Sequence, residues 1–137
     1  MNEEDVLSGL LAAEHAAITA YGGIGAHLDE HRRVAALAAY DAHRLLRDSL
    51  IARMRAAGMP TPGPRLAYAA LPGSPVQQAI AIESDLAVRW RDLVSVTDSA
   101  QLRALAVRAL ADAAVRAARW RQAGGIHPVT VPWPGTT

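Results

Sequence analysis

Residues 59–73 read MPTPGPRLAYAALPG and hold four prolines and two glycines between two long alanine-rich runs. Proline removes a backbone donor and turns the preceding residue away from helix, so this stretch is a linker. Fully extended at ~3.3 Å per residue, its about 15 residues reach ~50 Å. A helix of about 24 residues is only ~36 Å long at ~1.5 Å rise. The linker is therefore long enough to cross a whole helical bundle, and the architecture turns on what flanks it.

Upstream, Asn2 is a natural cap for a first helix whose opening acids, Glu3, Glu4 and Asp5, suit the positive end of the helix dipole. That helix is expected over about 3–28. A second is expected over 30–57, stopped by Gly58 and barred from continuing by Pro60. Downstream, Ser74-Pro75-Val76-Gln77 has the cap, the first-turn proline and the capping-box glutamine of a third helix over 75–96. Asp98 and Gln101 offer a similar box for a fourth over 99–122. The crossover then covers 58–73 and an extended tail 123–137, with Trp133 expected to dock the tail on the bundle. Short connections make an antiparallel hairpin of each helix pair, and the long linker joins the hairpins. The expected fold is all-α, a ferritin-like four-helix bundle forming one domain. A lid-like loop between simple up-down helices is the alternative.

The 137 residues include no cysteine, which removes disulfides, thiolate nucleophiles and thiolate metal sites. All 14 basic residues are arginine, and with 13 acids interspersed the net charge is +1, so no basic stripe marks a nucleic-acid surface. The acidic opening MNEEDVLSGLLAAEH lacks the character of a secretory signal. No segment approaches the ~20 uncharged apolar residues that span a bilayer. The expectation is a soluble cytoplasmic protein with neither nucleic acid nor membrane as partner.

Polar residues interrupt the apolar faces. In LLAAEHAAITAYG (residues 10–22), Glu14 shares a helical face with Leu7, Leu10, Ala17, Ile18 and Tyr21. His43 lies among Ala36, Ala39, Tyr40, Leu46, Leu50 and Met54, and Glu83 among Val76, Ala79, Ile80, Leu86, Ala87, Trp90 and Val94. Asp112 stands beside the main apolar stripe of the fourth helix, near Arg108, Arg116 and Arg119. Burying an ionised carboxylate costs several kcal/mol unless it is paired or metal-bound. Ferritin-like dimetal proteins take a Glu from each of two helices and a Glu-x-x-His from each of the other two. Glu14 and Glu83 would be the single glutamates; Tyr40 to His43 and Asp112 to Val115 would stand at the two Glu-x-x-His positions.

The stretches LLAAEHAAITAYG, DAHRLLRDSL, PTPGPRLAYAALPG, ALADAAVRAARW and the closing PWPG resemble an uncharacterised ferritin-like family of high-GC bacteria, catalogued as a domain of unknown function. The resemblance covers nearly the whole chain. It implies the ferritin-like bundle and carries no established activity.

Against the dimetal pattern, Tyr40 replaces a carboxylate and Val115 a histidine. Too few anionic oxygens remain to hold two divalent cations. Two explanations stand: a polar network of Glu14, Tyr40, His43, Arg47, Glu83, Asp112 and Arg116, or a single iron, manganese or zinc ion held by Glu14, His43, Glu83 and Asp112. Acid/base catalysis is a third. The network favours a non-catalytic binding or interaction module with an unknown protein partner and no cofactor. The metal favours a redox or carrier role, and an alanine-rich face would suit a structural homodimer.

Other candidates read blandly. His15 is expected on a helix flank, His27 and His31 at a solvated turn, and His127 without a partner in the tail. Gly22, Gly23 and Gly25 lack the spacing and preceding strand of a phosphate loop and are expected at a close helix approach or a kink. Trp90 and Trp120 read as core residues, and no serine, histidine and acid arrangement indicates a hydrolase triad.

Overall fold

The computed structural model describes residues 1–136; Thr137, the last residue of the expected tail, lies outside the described residues. The helices are α1 (Glu3–Ala26), α2 (Glu30–Ala56), α3 (Pro75–Val96) and α4 (Ala100–Ala123), and the described residues contain no strand. Among them, no helix is long and apolar enough to cross a membrane.

Side chains close the helix starts, at Asn2 and Ser74 where the sequence puts them and at Asp29 as the structure adds. Asn2 accepts from the Asp5 N–H at 2.8 Å, Asp29 from the Arg32 N–H at 2.9 Å, and Ser74 and Gln77 form a reciprocal capping box. Gly58 follows α2 at φ +69°, and the Met59 N–H closes back on the Met54 carbonyl at 2.8 Å. The start of α4 departs from expectation. Its cap is Ser99, which accepts from the Leu102 N–H at 3.2 Å. Thr97 sets this register: it is buried, and its hydroxyl accepts from the Ser99 N–H at 3.2 Å, leaving Asp98 exposed.

α3 packs most extensively on α4, α1 packs on both α2 and α3, and α2 barely touches α4. Among the described residues the α2 and α3 backbones do not approach each other, so the linker between them joins helices that are not adjacent. Two apolar clusters fill the interior. One gathers Leu7, Leu10, Leu11, Leu50, Met54, Trp90 and Leu93; the other gathers Tyr21, Ile24, Ala36, Val76, Ala79 and Trp120. On α2 and α3 the boundary falls at His43 and Glu83 respectively, which places a polar layer between the two clusters.

Two expectations are corrected. Gly22 and Gly23 are neither a close approach nor a break: α1 runs through them, and nothing lies within 4 Å of where a Cβ would stand. They face outward, and only Gly25 meets another helix, at 3.8 Å from the Ala36 Cβ. Trp133 does not dock the tail, being 79% exposed. Gly135 does so: at φ +84° its backbone presses so close to α3 that an added Cβ would stand 2.9 Å from the Ala87 carbonyl.

Candidate functional site

Three helices each contribute one polar residue to the layer, and all three are fully buried: Glu14 of α1, His43 of α2 and Glu83 of α3 are each 0% exposed. His43 stands between the carboxylates. Its Nδ1 is 2.7 Å from Glu14 Oε2 and its Nε2 is 2.9 Å from Glu83 Oε1. With a carboxylate oxygen facing each ring nitrogen, the surroundings favour the imidazolium, in which both nitrogens donate.

Further donors converge on the other Glu14 oxygen and on the same Glu83 oxygen that faces His43. Trp90 Nε1 donates to Glu14 Oε1 at 3.2 Å, and Tyr21 donates its hydroxyl proton to Glu83 Oε1 at 2.7 Å. Trp120 Nε1 in turn donates to the Tyr21 oxygen at 3.1 Å, while the Tyr21 ring stacks on His43 with centroids 5.6 Å apart. From α4, Arg116 donates Nε to Glu83 Oε1 at 3.0 Å. Two anions and two cations thus balance within the layer. Burial alone would push the His43 pKa down, but the hydrogen bonds and charges of Glu14 and Glu83 outweigh it and hold it up at about 9. Burial would raise Glu83, yet His43, Arg116 and Tyr21 together hold its carboxyl below the ordinary value. Tyr21 is pushed far up, by burial first and by the adjacent Glu83 charge second.

Of the residues expected in the polar layer, Glu14, His43, Glu83 and Arg116 come together. Asp112 is exposed and bonds to none of them. Arg47 turns outward to Asp48, 2.9 Å away, and the half-buried Tyr40 lies under the Arg44 guanidinium at 5.6 Å. His15, expected on the flank, is buried at 7% exposure and donates Nε2–H to the Pro62 carbonyl of the linker at 3.0 Å. Tyr21, Trp90 and Trp120 were legible only as apolar bulk. The signal that finds them is their polar tip, because a buried phenol or indole N–H needs a partner, and Tyr21 and Trp90 sit two helical turns beyond Glu14 and Glu83.

This geometry bears on metal binding. An ion uses one imidazole nitrogen, and here the ring separates the two carboxylates, so an ion on one side would leave the other carboxylate beyond the ring. Arg116 adds a fixed positive charge beside Glu83. Among the described residues no group of three or more His, Asp or Glu is arranged to hold an ion. As disposed here, Glu14, His43 and Glu83 direct their ligand atoms at one another and at Arg116. A cavity of about 320 Å³ beneath the tail has Glu83, Ser84 and Arg121 in its wall, but Glu83 shows no exposed surface to it.

A family described as "Domain of unknown function (DUF4439)" matches residues 7–137. The chain belongs to this family. The DUF4439 match spans all four residues of the charged layer and the linker. Among solved structures, the chain is similar to a conserved hypothetical protein, rv2844, from Mycobacterium tuberculosis, at 31% identity and a TM-score of 0.86, with 96% of each chain covered. Comparison with curated proteins gave no match. The DUF4439 relationship thus secures family and fold without naming an activity.

Proposed function

We propose that this chain is a ferritin-like bundle in which fixed charge stands where a metal centre would otherwise sit, and that it acts as a non-catalytic binding or interaction module. The observation that carries the reading is the commitment of both His43 nitrogens to Glu14 and Glu83, with Arg116 on the second carboxylate. The bundle assignment is supported by the helix contacts. Glu14 meets Trp90 while Tyr21 meets Glu83, so residue numbers rise along α1 as they fall along α3. A linker between non-neighbouring helices agrees with a crossover between two hairpins. The non-catalytic reading is supported by burial, since a side chain with no exposed surface cannot touch a dissolved substrate.

Metal analysis tests the proposal. Protein purified without chelators, then offered iron, manganese or zinc, should retain no stoichiometric ion. About one tightly held ion per chain, lost on changing Glu83→Ala or His43→Ala, would overturn it in favour of a metalloprotein.

A further inference from the structure

The proline-rich linker does more than connect. It lies along the α1/α3 side of the bundle as a strap fastened at both ends. Upstream, His15 Nε2 donates to the Pro62 carbonyl at 3.0 Å. Downstream, the Gln78 side-chain amide donates to the Leu71 and Gly73 carbonyls, both at 3.0 Å. Between the fastenings, the Arg65 N–H donates to the Tyr68 hydroxyl at 2.9 Å and folds the strap over.

Under this strap lies a trough of about 700 Å³. Its α1 wall is made by Ala12, Ala13, Ala16, Ala17 and Ala20, and Ile82 lies on the opposite side. The alanines follow one helical face for ~12 Å at ~1.5 Å per residue, and their short side chains keep the space open. The volume falls within the roughly 300–1,000 Å³ of small-molecule sites, which are mostly apolar with a few placed polar groups. Three ionised side chains line it. Asp85 is engaged by Arg89 at 2.7 Å, while Arg65 has no ion-pair partner among the described residues. The lining thus carries a net positive charge at the strap above an alanine floor.

We propose that this trough binds a small carboxylate with an elongated apolar body, its head at Arg65 and its body along the α1 alanines. The inference deepens the binding-module reading by giving it a ligand class, and in that sense rests on it. It also gives the strap, His15 and Gln78 a role that the buried charged layer does not.

Calorimetric titration of the full chain with octanoate, and with octylamine as the cation of matching body, tests the site. Saturable binding of one octanoate per chain is expected, with octylamine weaker by about tenfold or more. Arg65→Glu should weaken octanoate by about tenfold while leaving helix content and unfolding midpoint unchanged, because Arg65 is exposed on the linker. Ala16→Trp, which fills the trough, should abolish binding, and Arg65→Glu keeps the test sharp should that variant misfold. Equal binding of both amphiphiles, non-saturable uptake, indifference to Arg65→Glu, or dimerisation through the trough by sedimentation would each overturn the proposal. Stoichiometric metal with intact octanoate binding would overturn only the charged-layer reading; metal-free protein without octanoate binding would overturn only this one.

Discussion

Arg116 reaches Glu83 by one arm. Its Nε donates to Oε1 at 3.0 Å, while Arg116 Nη2 and Glu83 Oε2, the atoms a second parallel bond would join, are both buried without a partner. The guanidinium supplies α4's only side-chain bond to the Glu14–His43–Glu83 series, and it enters from a position that is 18% exposed.

Removing that arm leaves Glu83 with His43 and Tyr21 as partners, so the loss is partial. Arg116→Ala should destabilise the fold by about 2–3 kcal/mol, read as a lower urea midpoint. Arg116→Lys should recover only part of this, because the bonding Nε–H lies partway along the arginine side chain and a lysine ammonium falls one atom beyond that place. An Arg116→Ala midpoint indistinguishable from the parent's would refute the assigned role.

The layer also makes stability depend on pH. His43 is raised from 6.5 to about 9, so its contribution is complete below pH 6.5 and drains away as pH rises towards 9. Glu83 is lowered, so its contribution is complete above its unfolded value of 4.5 and is lost as pH falls through its folded value. Stability from these two groups should be greatest between pH 4.5 and 6.5. The alkaline loss should be on the order of 3 kcal/mol. Urea titrations at several pH values check this, and the alkaline slope should flatten in a His43→Gln variant.

Tyr21 links two parts of the layer, donating to Glu83 and accepting from Trp120. Tyr21→Phe keeps the ring but strands the buried indole N–H of Trp120. A loss of about 1–3 kcal/mol is expected, together with a changed near-ultraviolet dichroism of the tryptophans. A variant as stable as the parent would show that Trp120 finds another acceptor.

His15 fastens the strap from α1. His15→Ala should speed amide exchange of the linker around residues 61–66 and leave exchange in the α3 core unchanged. Uniform acceleration throughout the chain would mean instead that His15 supports the global fold.

The tail gives a backbone test. Gly135 combines φ +84° with a close approach to Ala87, so Gly135→Ala meets both strain and a clash. Loss of amide protection confined to residues 126–136 is expected, with the four helices unaffected.

The sequence by itself determined the helices, their caps at Asn2 and Ser74, the stop at Gly58, and the inward direction of Glu14, His43 and Glu83. Those features depend on local backbone chemistry and on a 3.6-residue period, and both are written in neighbouring residues. Only the tertiary structure decided which charges met. Arg47 and Arg116 both stood one turn from an expected layer residue, yet Arg47 turned to the adjacent Asp48 while Arg116 crossed from α4 to Glu83. Tyr21, Trp90 and Trp120 likewise acquired their bonds from partners 62 to 99 residues distant. A side chain's partner is set by the rotation and depth at which helices pack, and helical periodicity fixes a residue's face without fixing what lies opposite.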